Sequence, residues 1–201
     1  MGSRLDNTAT DEELLKACLR GEQAAWDALI DRYAALVYSI PLKFGFGEAD
    51  AGDVFQSVCM TLLEKLGTIR APRGLAAWII TTTSRQCIAL ARQQQRERAR
   101  RASSDVLQEG AAEPPDPELL PEEELVALER QHAVKTAVSQ LQSPCRQLIE
   151  ALFTDAAERQ SYDQVARSLS IAPNSLGPTR ARCLEKLRRL LQASGYPGMY
   201  E

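Results

Sequence analysis

The sequence predicts an all-α protein of two small helical domains joined by an acidic, flexible linker. Apolar residues recur at the 3.6-residue helical period along most of the 201-residue chain. No segment shows the period-2 alternation between hairpin turns that marks strands. Residues 103–123 abandon periodicity and hold four prolines (Pro114, Pro115, Pro117, Pro121) among carboxylates. The expected domains are residues 10–101 and 125–192, with the linker over 102–124 and a mobile tail over 193–201.

Each element has its own signal. Thr10-x-x-Glu13 is a capping-box pattern ahead of Leu14, Leu15, Cys18 and Leu19, and Gly21 stops that helix. Trp26, Leu29, Ile30, Tyr33, Val37 and Ile40 mark a second helix, which Pro41 is expected to end. A third is expected from about Asp50 to Leu66, with Val54, Val58, Leu62 and Leu66 on one face and Gly67 after it. A fourth begins near Arg73 and passes through Trp78, Ile79, Thr82, Cys87, Ile88 and Leu90 into an arginine-rich end. Helices resume with Leu125, Leu128, Ala133, Val134, Val138 and Leu141, and Pro144 breaks the chain before Leu148, Ile149, Leu152 and Phe153.

The sharpest local pattern lies near the end. Ser161-x-x-Gln164 caps a short helix whose apolar positions are Tyr162, Val165, Ala166 and Leu169. Ser170-Ile171-Ala172 makes a tight turn, and a second helix opens at about Asn174–Ser175. Pro178 fits that helix only in its first turn, where backbone N–H groups have no intrahelical partner. Together these form a helix-turn-helix, whose second helix can enter a DNA major groove.

Charge is parcelled along the chain. The net of −3 argues, as one number, against a nucleic-acid partner. Screening removes fields within about 10 Å, so the local balance matters more. Residues 1–67 carry −5, 68–101 carry +7, 102–129 carry −9, 130–161 carry +1 and 162–201 carry +3. Two basic blocks therefore flank an acidic strap that its own repulsion extends.

Composition also excludes classes. A hydrophobic content of 44% excludes wholesale disorder. No apolar run approaches the roughly 20 residues of a membrane span, and the start MGSRLDNTATDEE has no apolar signal region. A cytoplasmic protein without membrane insertion is expected. The five cysteines (Cys18, Cys59, Cys87, Cys145, Cys183) lie far apart without a C-x-x-C pair, which predicts reduced thiols packed as small apolar side chains. His132, the one histidine, has no cysteine near it in sequence, so no zinc site is expected. No cofactor and no enzyme activity are expected either. There is no phosphate-binding glycine loop and no nucleophile motif, and the paired acids Glu122 and Glu124 sit where burial does not tune them.

The basic blocks carry the candidate contacts. The second helix of the helix-turn-helix holds Arg180, Arg182, Lys186, Arg188 and Arg189 against one acid, Glu185, with Leu176, Cys183, Leu184 and Leu187 as its buried face. Asn174, Ser175, Thr179, Arg180, Arg182 and Lys186 are the candidates for DNA contact, because phosphates and guanine edges take such donors. Residues 73–101 combine Trp78, three consecutive threonines and seven arginines, a mix that suits a phosphate backbone and unstacked bases. The plain reading of Trp78 is a core anchor. The third helix sets Asp50, Asp53, Gln56, Ser57 and Glu64 opposite its apolar stripe, by default a solvated face and alternatively a docking surface for a large partner.

Taken in order, these blocks resemble a bacterial sigma factor of the extracytoplasmic-function group. DALIDRYAALVYSI, ADAGDVFQSVCMTLLEKL and AAWIITTTSRQCIALARQQQR are similar to the helices of sigma region two, and LQSPCRQLIEALF with the helix-turn-helix is similar to region four. Gly52 and Ser57 stand where that family favours acids, and Arg85 where it favours asparagine.

The resemblance implies core RNA polymerase (its clamp coiled coil and flap) and promoter DNA as partners, with an anti-sigma protein able to hold the two domains. Asp50, Asp53, Gln56 and Ser57 would face the clamp. Trp78, Thr81, Thr82, Ser84, Arg85, Gln86 and Arg92 would read and help open the −10 element, and the helix from Asn174 to Arg189 would read the −35 element. The alternative is a free-standing dimeric helix-turn-helix regulator, with residues 1–101 for sensing or dimerisation.

Overall fold

The computed structural model describes residues 9–69, 74–105, 121–153 and 161–193. Expectations for Arg73, most of the linker and the tail past Ala193 lie outside the described residues. Among the described residues the chain is all-helical, with no strand. The helices are α1 (Asp11–Leu19), α2 (Gln23–Lys43), α3 (Glu48–Lys65), α4 (Leu75–Asp105), α5 (Glu122–Gln140), α6 (Cys145–Phe153), α7 (Tyr162–Ser168) and α8 (Pro173–Ala193). A 3₁₀ turn, Leu66–Thr68, follows α3.

The ends of α1 follow from its sequence. Thr10 Oγ1 accepts from the Glu13 N–H at 3.3 Å, and the Glu13 carboxylate accepts from the Thr10 N–H at 2.7 Å. Gly21 takes φ +79°, and the N–H groups of Gly21 and Glu22 donate to Cys18 and Ala17, closing a Schellman motif. Two side chains then tie α1 to α2. The Arg32 guanidinium meets Asp11 at 2.7 Å and donates to the Ala9 carbonyl at 2.6 Å, while the Tyr33 hydroxyl donates to Asp11 at 2.6 Å.

Two expected boundaries are corrected. Pro41 does not end α2, which runs on to Lys43 with Pro41 buried inside its last turn. A proline there removes only one donor, and Phe44 and Phe46 donate to the Ile40 and Pro41 carbonyls, so the helix closes normally. At α5, Glu122, Glu123 and Glu124 belong to the first helical turn rather than to the linker. Their negative charge opposes the positive end of the helix dipole, so the acids stabilise a start three residues earlier than Leu125.

Helices α1 to α4 enclose one core, in which Leu14, Leu29, Ile40, Leu75, Ile79 and Val58 are almost fully excluded from water. A second core, under α6 to α8, holds Leu148, Val165, Leu176 and Cys183. α5 serves both. At about 100° per residue, Leu125, Leu128 and His132 share one face of it. Leu128 is 1% exposed within the first core, and His132 stacks on Tyr33 with ring centroids 4.4 Å apart. Val138 and Leu141 fall on the opposite side, in the second core. Glu124 adds an exposed pair with Lys43 at 3.7 Å.

Candidate nucleic-acid interface

In α4 the buried stripe fixes what remains outside. Leu75, Ile79, Ile80 and Cys87 pack into the first core, and the hydroxyls of Thr83 and Ser84 donate back to the carbonyls of Ile79 and Ile80 at 2.7 and 2.9 Å. Ser84 is therefore removed from the expected DNA-facing set: it is wholly buried and its donor is spent inside the helix. At the helical period Trp78, Thr81, Thr82, Arg85 and Arg92 fall on a single face, and Arg96 continues it. Arg85 and Arg92 are exposed, Thr81, Thr82 and Gln86 half-buried, and Trp78 half-buried against the core, as an anchor with one open edge would be. α4 has 31 residues, about 46 Å at 1.5 Å each, so this stripe lies on one continuous rod.

The outer face of α3 is less polar than the sequence suggested. Asp53, Gln56 and Ser57 are exposed on it. Asp50 is half-buried and accepts from Gln94 Nε2 of α4 at 3.0 Å, so it braces α3 on α4 as well as bordering the face. Met60 and Leu63 project from the same face at 54% and 57% exposure, a pair that sequence reasoning missed. Their signal was available: they stand four and seven residues beyond Gln56, outside the Val54–Val58–Leu62 stripe.

In the C-terminal unit the capping box is present: Ser161 Oγ accepts from the Gln164 N–H at 3.3 Å, and Gln164 Oε1 accepts from the Ser161 N–H at 2.7 Å. α7 ends on Ser170 at φ 53°, with the N–H groups of Ser170 and Ile171 donating to Arg167 and Ala166. This is a Schellman motif with serine where glycine is usual. Pro178 is corrected here. α8 opens at Pro173, so Pro178 lies in its second turn and not its first. The missing donor leaves one carbonyl near the exposed helix start, and Gly177 before it has no Cβ to meet the proline ring.

On α8, Asn174, Ser175, Arg180, Arg182 and Lys186 are exposed and Thr179 is half-buried. The Thr179 hydroxyl accepts from the Arg182 guanidinium at 3.2 Å. Arg188 and Arg189 both pair with Glu185, at 3.7 and 3.2 Å, so part of the charge in the C-terminal half of the helix is spent within it, while Arg180, Arg182 and Lys186 stay exposed.

The cysteines are corrected in part. Cys145 and Cys183 form a disulfide, their Cα atoms 5.2 Å apart, where reduced thiols were expected. Residues 38 apart in sequence meet because α6 and α8 pack side by side, which spacing alone does not reveal. Cys18, Cys59 and Cys87 are free. Burial pushes the Cys18 thiol up to about 11, the Cys87 thiol up to about 12, and the Cys59 thiol upward as well. Among the described residues no group of three metal-ligating side chains converges, and no helix is long and apolar enough to cross a membrane.

The site is thus a pair of cationic helical faces, on α4 and α8, beside a mixed polar and apolar face on α3. Comparison with known proteins finds a family likeness over part of that arrangement. Residues 29–97 match the family model Sigma-70 region 2, a span that runs from within α2 through α3 into α4 and takes in both N-terminal faces. No curated protein matches the chain. Among solved structures, a chain in the structure of CnrH in complex with the cytosolic domain of CnrY is 20% identical. The match covers 94% of this chain and 99% of that one, with a TM-score of 0.38.

Proposed function

We propose that the chain is a sigma factor of the extracytoplasmic-function kind, which binds core RNA polymerase and directs it to promoters without catalysing a reaction itself. The observation that carries this reading is the Sigma-70 region 2 match over the helices bearing the α3 face and the α4 arginine stripe. In this reading Asp53, Gln56 and Ser57, extended by Met60 and Leu63, meet the polymerase clamp. Trp78, Thr81, Thr82, Arg85 and Arg92 meet the −10 element. Asn174, Ser175, Thr179, Arg180, Arg182 and Lys186 on α8 meet the −35 element.

Two modest contacts tethered to one enzyme raise each other's effective concentration without any new bond. Alone, a chain of net charge −3 should hold promoter DNA weakly. Run-off transcription with purified core polymerase, with and without the chain, over a promoter library tests the reading. New, promoter-specific start sites are expected, and Arg85→Ala or Arg180→Ala should each reduce them about 10-fold, as the loss of one charge-assisted contact does. An unchanged set of start sites would sink the proposal.

A further inference from the structure

The disulfide closes a loop around the turn of the helix-turn-helix. Cys145 is the first residue of α6 and Cys183 lies in the middle of α8, so the closed loop contains α6, α7, the Ser170 turn and the half of α8 that carries Asn174 to Arg182. Both cysteines are buried, at 6% and 1%, in a core whose other buried members are Leu141, Leu148, Ile149, Val165, Ala166 and Leu176. So small a core supplies little hold of its own, and a crosslink contributes a larger share there than in a large domain. The remaining thiols do not compete for the pair: Cys18, Cys59 and Cys87 lie on α1, α3 and α4 of the N-terminal unit, and Cys18 and Cys87 belong to its separate core.

We propose that the Cys145–Cys183 pair is a redox switch on the C-terminal unit: oxidised, it holds α8 against α6, and reduced, it lets α8 open from its scaffold. The consequence for promoter reading rests on the function proposed above; the switch itself does not. With hydrogen peroxide as oxidant, one thiolate attacks the O–O bond, becoming a sulfenic acid and releasing water once a proton is taken up. The second thiol then attacks that sulfur, forming the S–S bond and releasing a second water. A dithiol reductant returns two electrons and two protons by thiol–disulfide exchange and leaves as its own cyclic disulfide.

The test uses the full chain, treated with peroxide or with dithiothreitol. Thiol titration after denaturation should find three free cysteines in the oxidised chain, Cys18, Cys59 and Cys87, and all five in the reduced one. Hydrogen exchange at α7 and α8 amides should quicken roughly 100-fold on reduction, the scale of a loop-closing crosslink, with α1 to α4 little changed. The double variant Cys145→Ser/Cys183→Ser should behave as the reduced chain and ignore peroxide, whereas Cys59→Ser should respond like the parent. If the double variant does not fold, the reduced parent gives the same comparison. Five free thiols after peroxide, or equal α8 exchange in both states, overturns the proposal. Altered exchange with no promoter-directed transcription in either state supports the switch and counts against the function proposed above.

Discussion

The N-terminal and C-terminal units are built from the same element but held by different means. In the first, α1 to α4 bury large aliphatic side chains around Leu29 and Ile40, and Asp11 knots α1 to α2 through Arg32 and Tyr33. In the second, α6, α7 and α8 share a smaller core and a covalent tie. The difference teaches where each unit can give way. The first loses its fold when its packing fails, and the second has a bond whose state the surroundings can change.

The sharpest way to test that contrast is a matched pair of core truncations. Leu29→Ala and Leu148→Ala each remove a side chain with no exposure, and each should cost about 3 kcal/mol in its own unit. Both tryptophans, Trp26 and Trp78, lie in the N-terminal unit. Leu29→Ala should therefore move the tryptophan-detected urea midpoint, and Leu148→Ala chiefly the midpoint seen by helical circular dichroism. Equal movement of both probes by both variants would break the comparison and make the chain one cooperative block.

A smaller effect probes the link between the units. Burial holds the His132 imidazole down at about 4 against an ordinary 6.5, with nearby Asp11 opposing that shift and Arg32 and Lys135 adding to it. The folded chain thus binds this proton less readily than the unfolded one. The stability it contributes is complete above pH 6.5 and is lost as pH falls toward 4, by at most about 3 kcal/mol. Urea midpoints measured between those limits should decline with acid, and His132→Phe, which keeps a ring on Tyr33, should flatten that slope.

The smallest change concerns the turn. Ser170 holds a left-handed φ of 53°, a conformation that costs a side chain about 1 kcal/mol relative to glycine. Ser170→Gly should raise the thermal midpoint of the C-terminal unit by a few degrees. A lowered midpoint would mean that the serine side chain contributes something the backbone geometry does not show.

Much of this architecture was legible in the chain. Both capping boxes, the buried stripes of α3 and α4 and the tight turn follow from local chemistry, because caps and helical periodicity act within a few residues. Most of the misses share a cause as well. The lost donor marks Pro41 as a helix end and Pro178 as a first-turn residue, but whether that loss matters depends on which carbonyl is left and what lies beside it. The disulfide, the double service of α5 and the burial of Ser84 depend on partners far away in sequence. Met60 and Leu63 are a different kind of miss, since their place outside the Val54–Val58–Leu62 stripe already sets them on the outer face.

The two-sided α5 has a consequence for the evolution of the chain. Because Leu128 and Val138 serve opposite cores, a residue gained or lost between them would rotate one seat by about 100° against the other. Its length between those points is therefore locked, like the distance between two threads cut on one screw. Insertions that connecting loops would absorb cannot be accommodated there, and lineages of this protein should vary in the spacing before Glu122 far more than in the nine residues from Glu129 to Ala137.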